Sequence, residues 1–277
     1  MMRTSQMMRR AVCAAWLVAS VGAAQAHRAW LLPSATSFSG KEPWVTVDAA
    51  VSTDIFYADH NPLRLDGLSI TAPDGSRIAP ENVGSGKFRS TFDVKLAQPG
   101  TYKLAVVSDS VAASYKLNGE TKRWRGAADA VAKEIPAGAQ DVKLTRLQSR
   151  NEVFLTAGKP SEGVLATTGA GLELRPVTHP NDLAAGSPAS FVLTLDGKPA
   201  SGIEVLVIPG GVRYRDRPDE IKAVTDAAGR FSIRWPAAGM YWLGATHGAM
   251  GAMEAAANAD APARRASYSA TFEVLPQ

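Results

Sequence analysis

The sequence ASFVLTLDG, residues 189–197, has the pattern of a strand that ends in a hairpin turn. Its first seven residues are rich in β-branched and aromatic side chains, which predicts a β-strand. The Asp196-Gly197 pair that follows is typical of a two-residue hairpin turn, because the central positions of that turn need a positive φ. We therefore expect a strand that reverses directly into an antiparallel neighbour.

Short strands separated by turns recur along the chain. Further strands are predicted at residues 28–33, 44–51 (WVTVDAAV), 90–96 (STFDVKL), 101–107 (TYKLAVV), 203–208 (IEVLVI), 231–235 and 268–275. Asp226 and Gly229 suit the first and last positions of a type I turn. A Gly-x-Tyr-x-Leu pattern at 100–104 returns at 239–243. This spacing predicts an all-β protein built from antiparallel β-sandwiches of immunoglobulin- or transthyretin-like type.

Two sandwich domains are predicted, because each half of the chain holds one copy of the repeated pattern. The expected boundaries are 1–26 for a signal peptide, 27–171 for the N-terminal sandwich and 172–277 for the C-terminal sandwich. A polar insertion at 116–142 belongs to the first domain, with one or two helical turns at 127–133. Residues 248–265 are rich in Ala, Gly and Met, and we expect a mobile loop there.

The first 26 residues have the composition of a secretory signal peptide. Three arginines precede a short apolar run, and Ala24, Gln25 and Ala26 form a small-x-small cleavage site. The run is shorter than the roughly 20 apolar residues that a membrane-spanning helix needs. We therefore expect a periplasmic protein whose mature chain begins at His27 and has no transmembrane segment.

Composition narrows the possible partners. The chain has a formal net charge of +4, and the loss of three arginines and no acid with the signal peptide leaves +1. Such a small charge gives no reason to expect nucleic acid as a partner. The single cysteine, Cys13, leaves with the signal peptide, so disulfides and thiolate ligands are not expected in the mature chain.

His27 is the first of four candidate metal-binding histidines. Cleavage after Ala26 would give it a free α-amine, which titrates near about pH 8 and is therefore close to its neutral, ligating form. Together with its own imidazole, the amine can chelate one ion, and nitrogen ligands suit copper and nickel. The alternative is that a polar residue simply follows the cleavage site.

His60 is the expected partner of His27. In an up-and-down pair of strands, the start of strand 28–33 and the end of strand 44–51 lie at the same rim, and His60 follows the second strand. Asp59 can be a ligand itself or can orient an imidazole by accepting its N–H. The alternative is a loop histidine beside a turn aspartate.

His179 and His247 are further candidates. His179 lies where the second domain begins, and the alternative is a linker residue before a Pro-Asn-Asp turn. His247 forms an H-x-x-M-x-x-M pattern with Met250 and Met253. Thioethers select Cu(I), although methionine also fills irregular surfaces. Whether either histidine reaches the rim of His27 depends on how the domains pack.

Motifs of common hydrolases and nucleotide-binding enzymes do not occur in the sequence, including G-x-S-x-G, H-E-x-x-H and the P-loop. No catalytic residue is predicted, and we expect a protein that is not an enzyme. One enzymatic alternative stays open. A copper ion held by an N-terminal histidine and a second imidazole resembles the site of lytic polysaccharide monooxygenases.

Five motifs occur together in the chain: HRAWLLP (27–33), FYADHNP (56–62), THPND (178–182), TDAAGR (225–230) and TFEVLP (271–276). As a set they resemble a family of exported bacterial proteins of unknown function, often labelled as periplasmic components of nickel or cobalt uptake. The resemblance implies a periplasmic, metal-linked accessory role. The family's histidine after the signal peptide falls on His27, and its Asp-His-x-Pro loop falls on Asp59, His60 and Pro62.

The sequence thus predicts an accessory protein that binds a nickel, cobalt or copper ion. The candidate ligands are His27, Asp59, His60, His179 and His247. A membrane metal transporter or an outer-membrane receptor is the expected macromolecular partner. The non-metal alternative is a scaffold that uses its two sandwiches to contact a receptor or a glycan.

Overall fold

A computed structural model describes residues 27–248 and 263–277. The predicted signal peptide lies outside the described residues, as does the part of the predicted loop that holds Met250 and Met253. Strands account for 56% of the structure and helices for 5%, which confirms the all-β class. Over the two described ranges, no helix has the length and apolarity needed to cross a membrane.

Nineteen strands and one short α-helix form the described part of the chain. The strands are β1 (Arg28–Pro33), β2 (Ser37–Phe38), β3 (Trp44–Ser52), β4 (Asn61–Pro62), β5 (Leu68–Thr71), β6 (Arg77–Ile78), β7 (Glu81–Ser85), β8 (Ser90–Lys95), β9 (Gly100–Leu117), β10 (Glu120–Gly126), β11 (Gln140–Ala157), β12 (Leu172–Pro176), β13 (Pro188–Leu195), β14 (Lys198–Pro199), β15 (Glu204–Pro209), β16 (Ile221–Val224), β17 (Arg230–Arg234), β18 (Gly239–His247) and β19 (Ala263–Val274). The helix is α1 (Val131–Glu134), and short 3-10 turns occur at Ala128–Ala130, Gly163–Leu165 and Val212–Tyr214.

The hairpin predicted at Asp196-Gly197 is present. Leu195 at the end of β13 pairs with Lys198 at the start of β14. Asp196 and Gly197 have φ values of 51° and 74°, as a type I′ turn requires. Because the turn occupies only two residues, the register of β13 against β14 is fixed by the sequence itself.

The strands of residues 27–248 and 263–277 form three sheets. One contains β1, β3, β8, β7 and β4, and another contains β12, β13, β14 and β17. The third has ten strands, with β16-β15-β18-β19-β11-β9-β5-β6 as its main order. Within it β11 and β19 pair in parallel, with Thr145 opposite Ala263 and Val153 opposite Thr271. This ladder makes one sheet continuous through both halves of the chain.

Each half has its own hydrophobic core, with the ten-stranded sheet contributing to both. The first core contains Val47 and Phe92 from the five-stranded sheet, facing Leu104 and Leu155 of β9 and β11. In the second core, side chains of β13 and β17 pack against those of β15, β18 and β19. Two layers around an apolar core are the arrangement expected of a β-sandwich.

The repeated Gly-x-Tyr-x-Leu pattern forms the same structure in both halves. The Tyr102 hydroxyl donates to the Gln98 carbonyl at 2.9 Å, and the Tyr241 hydroxyl donates to the Ala237 carbonyl at 2.8 Å. Both tyrosines are buried. A buried tyrosine that bonds the backbone a few residues upstream is the tyrosine corner of Greek-key sandwiches.

The predicted polar insertion is an extension of β9 and β11. Both strands are 18 residues long, and β10 pairs with the far end of β9. The helical turns predicted at 127–133 are present as Ala128–Ala130 and α1. Val111, Ala113 and Leu144 form a small apolar cluster of their own there.

Candidate metal centre

The C-terminal end of β3 positions two of the candidate histidines. β1 pairs with one edge of β3, with Arg28 opposite Ser52, so His27 lies just beyond that ladder. β4 pairs with the other edge, with Asn61 opposite Val51, so His60 lies directly before β4. The rim predicted from strand order therefore holds both residues.

The two imidazoles are in contact. Their ring centroids are 3.6 Å apart, and the ring planes lie within 5° of parallel. Both residues are exposed to solvent. Among the described residues neither imidazole takes part in a hydrogen bond, so the ring nitrogens face solvent rather than protein partners.

The stacked imidazoles of His27 and His60 can share one ion if the rings rotate. Imidazole lone pairs lie in the ring plane, so in a parallel stack they point alongside each other rather than at one point. Metal–nitrogen bonds of about 2.0–2.1 Å require the rings to turn out of the stack. Exposed side chains change rotamer readily, and the short separation of His27 and His60 puts both within reach of one ion.

The loop that carries His60 is anchored in an apolar cluster between the two halves. Ile55 is buried there with Trp30 and Trp242, and Phe56 packs against them. The Phe56 ring meets Trp30 edge to face at 5.7 Å. Phe56 has a φ of 62°, which is a strained backbone for a bulky residue and persists only where packing holds it. The loop that precedes His60 is thus held by residues from both halves of the chain.

Asp59 has a structural role in the same loop. Its Oδ1 accepts a hydrogen bond from the Thr53 backbone N–H at 3.1 Å, and no imidazole N–H of the described chain donates to it. The structure therefore shows Asp59 closing the turn and does not show it orienting His60.

His179 lies in a polar network rather than beside His27. Its Nδ1 accepts a hydrogen bond from the Asn181 N–H at 3.2 Å. Its Nε2 lies 3.1 Å from the Thr101 hydroxyl and 3.2 Å from the Ser161 carbonyl. With Nδ1 an acceptor, Nε2 carries the proton of the neutral ring. Both ring nitrogens therefore have hydrogen-bond partners in the protein. These hydrogen bonds tie the start of the second half to β9, which fits a linker residue before a turn.

His247 lies on the opposite face of β18 from the His27 rim. Side chains alternate along a strand, and Leu243 and Ala245 point into the second core, which places His247 on that face. Thr246 lies on the other face, in the groove that His27 lines.

The structure thus brings together His27 and His60 but not His179 or His247. Across residues 27–248 and 263–277, no group of three His, Cys, Asp or Glu side chains is arranged to hold one metal ion.

The sequence reasoning missed a groove beside His27. It has a volume of about 650 Å³, and β1 forms one wall while the outer face of β18 and β19 forms the floor. The indole of Trp242 donates to the Ala29 carbonyl at 2.9 Å and fixes β1 over this floor. A Cβ at Gly244 would overlap the Trp242 ring. Glycine inside a strand often marks a place where another group packs closely against the backbone. Gly244 is therefore the sequence signal for the position of the Trp242 ring.

A buried charged cluster, the seam cluster, joins the halves near β11 and β19. Its buried members are Arg150, Glu152, Glu173 and Tyr268, and the charge of half-buried Lys103 acts on them from close by. Arg150 lies 3.1 Å from Glu152 and 3.3 Å from Glu173, and the Tyr268 hydroxyl donates to Glu152 at 2.9 Å. Burial raises the pKa of Glu152, lowers the pKa of Lys103 and raises the pKa of Tyr268. Two cations and two carboxylates balance there, as buried charges require.

The fold and the rim together define an all-β protein with paired surface histidines. The chain belongs to a family described as a domain of unknown function (DUF4198), whose model matches residues 24–249. No curated protein matches the chain. The family description assigns no activity.

The solved structures to which the chain is similar include two multidomain fragments. One is the D0-D1 domain of intimin, at 11% identity, with 88% of this chain and 97% of that chain covered and a TM-score of 0.21. The other is an ICAM-5 D1-D4 ectodomain fragment, at 9% identity, with 90% and 51% covered and a TM-score of 0.22. The match spans about half of that ectodomain fragment.

Proposed function

We propose that this protein is a periplasmic accessory protein that binds one nickel, cobalt or copper ion through His27 and His60. It exchanges the ion with a membrane metal transporter or an outer-membrane receptor. The observation that carries this proposal is the contact of two exposed imidazoles at one rim. Neutral imidazoles are common ligands of these ions.

Cleavage after Ala26 supplies a third nitrogen in this account. The freed α-amine and the His27 imidazole chelate the ion from one residue, and His60 adds a second imidazole. Because β1 begins at Arg28 and pairs at once with β3, the new N-terminus sits on a strand rather than on a free tail. Such preorganisation lowers the entropic cost of binding.

The two halves have distinct tasks in this proposal. Residues 27–171 and 172–277 act as two sandwich domains joined by the shared sheet. The first supplies His27 and His60, and the second supplies Ile208 and Trp242 to the apolar cluster beneath the His60 loop. The resemblance of the five sequence motifs to those of proteins often labelled as nickel or cobalt uptake components supports a role in metal supply.

Isothermal titration with Ni²⁺, Co²⁺ and Cu²⁺ tests the proposal on protein that begins at His27. We expect one ion per chain, with binding lost in His27→Ala and weakened at least tenfold in His60→Ala. His247→Ala is the matched control, because it removes a histidine from the other face of the sheet and should leave affinity unchanged. Absence of one-to-one binding, or equal loss in the control, would contradict the proposal.

A further inference from the structure

We propose that the groove beside His27 binds a small organic polycarboxylate, so that the protein takes its ion as a carboxylate complex rather than as the hydrated ion. This inference rests on the proposed function, since it names the form in which that metal is bound. It is carried by the groove's position, its volume and the side chains on its floor.

The groove opens at the metal rim. His27 lines it, together with Arg28 and Ala29 of β1. The Ala29 carbonyl accepts hydrogen bonds from Trp242 and from the Ser269 hydroxyl, at 2.9 and 3.1 Å. Since β1 is fixed at that point, His27 lies two residues further along the groove. An ion on His27 therefore borders the groove volume.

Donors for carboxylate oxygens lie together on the groove floor. Thr246 of β18 is directly opposite Ser267 of β19, and Arg265 lies two residues before Ser267 on the same face. All three line the groove. A guanidinium binds a carboxylate through two parallel hydrogen bonds, and the Thr246 hydroxyl can donate to a further oxygen. The Ser267 hydroxyl already donates to the Gln148 carbonyl at 3.3 Å.

Among the charged side chains of the groove, Arg265 is the one that we expect to bind an anion. Arg28 lies 3.6 Å from Glu220 and 5.7 Å from the Trp242 ring centroid, so its charge is already neutralised in part. Glu204 lies on β15, with β18 between it and β19. Since Val205 pairs with Ala245, Glu204 is the neighbour of Thr246 on β18, and Arg265 of β19 lies one strand further from it.

Coordination chemistry links the groove to the ion. Three protein nitrogens leave positions open on an octahedral or tetragonal ion, and a chelating carboxylate fills them with oxygen. A volume of about 650 Å³ is within the range of pockets for small organic ligands, which is about 300–1,000 Å³. His27 and Arg265 line the same groove, so we expect one ligand there to contact both the ion and Arg265.

Equilibrium dialysis with Ni²⁺ and radiolabelled citrate tests this inference on protein that begins at His27. We expect nickel and citrate to be retained together, one of each per chain, and citrate alone to be retained much less. Arg265→Ala should weaken citrate retention at least tenfold while Ni²⁺ alone binds as before. Thr246→Val, an exposed change, should weaken it several-fold. Arg230→Ala, on the separate sheet that contains β17, is the control and should have no effect.

The outcomes separate this inference from the proposed function. Retention of nickel with citrate excluded would overturn the carboxylate site and leave metal binding by His27 and His60 intact. Equal citrate retention in wild type and Arg265→Ala would also overturn it. Failure to retain nickel in either form would contradict the proposed function, and the inference would fall with it.

Discussion

The imidazole of His27 stacks on the imidazole of His60 at 3.6 Å and within 5° of parallel. The two residues approach from opposite edges of β3, each one position beyond the strand that flanks it. The contact is therefore a consequence of sheet pairing at the end of β3. Sheet pairing holds the backbones of the two residues at one rim, so that both exposed imidazoles can approach one ion.

Residues placed ahead of His27 should weaken metal binding. A Gly-Ser extension converts the α-amine into an amide, which is a far poorer ligand, while both imidazoles stay in place. We expect at least a tenfold weaker Cu²⁺ affinity by isothermal titration than for protein that begins at His27. Equal affinities would show that the amine is not a ligand.

Phe56→Ala should weaken metal binding although both proposed ligands, His27 and His60, stay in the protein. Phe56 packs on Trp30, and its loss should loosen the loop that holds His60. We expect about 1–3 kcal/mol of destabilisation for this half-buried ring and a several-fold loss of Ni²⁺ affinity. Phe88→Ala, which removes an exposed phenylalanine, is the matched control for both measurements. Unchanged Ni²⁺ affinity in a folded Phe56→Ala protein would show that this anchor does not position His60.

Arg150→Met should destabilise the fold strongly. It leaves Glu152 and Glu173 buried with less cationic charge, and breaking such an arrangement costs about 3–5 kcal/mol. Arg146→Met on the same strand removes an exposed pair with Asp109 and should cost about 1 kcal/mol or less. Urea unfolding measures both. Similar values for the two variants would show that the seam cluster does not hold the halves together.

Ser76→Ala should raise the pKa of Asp74. Hydrogen bonds from the Ser76 hydroxyl, the Ser76 N–H and the Gln98 side chain lower that pKa from 3.8 to about 2. Because the folded value lies below the unfolded one, the contribution of Asp74 to stability is present above about pH 4. It is lost as the pH falls towards 2. Carboxyl-carbon NMR titration should give a higher pKa in Ser76→Ala and an unchanged one in Ser232→Ala, and an unmoved value in both would contradict the account.

Local elements of the fold were predictable from sequence because their signals are local. Asp196 and Gly197 fix a turn, and Asp226 accepts hydrogen bonds from Ala228 and Arg230 as a turn aspartate should. The tyrosine corners follow from a repeated five-residue pattern. Strand order also gave the shared rim of His27 and His60, since two adjacent antiparallel strands determine it.

Long-range pairing was not predictable in the same way. The parallel ladder of β11 and β19 joins residues more than one hundred positions apart, and no turn signal specifies it. The floor of the groove depends on that ladder and on the close approach of Trp242 to Gly244. The faces of His179 and His247 likewise depend on how the halves meet, so spacing alone left both as candidates.

X-ray absorption spectroscopy of nickel-loaded protein that begins at His27 counts the imidazoles on the ion. We expect two imidazoles per nickel in the wild type and one in His60→Ala. A single imidazole in the wild type, or the same spectrum for both proteins, would contradict the claim that His27 and His60 share one metal ion.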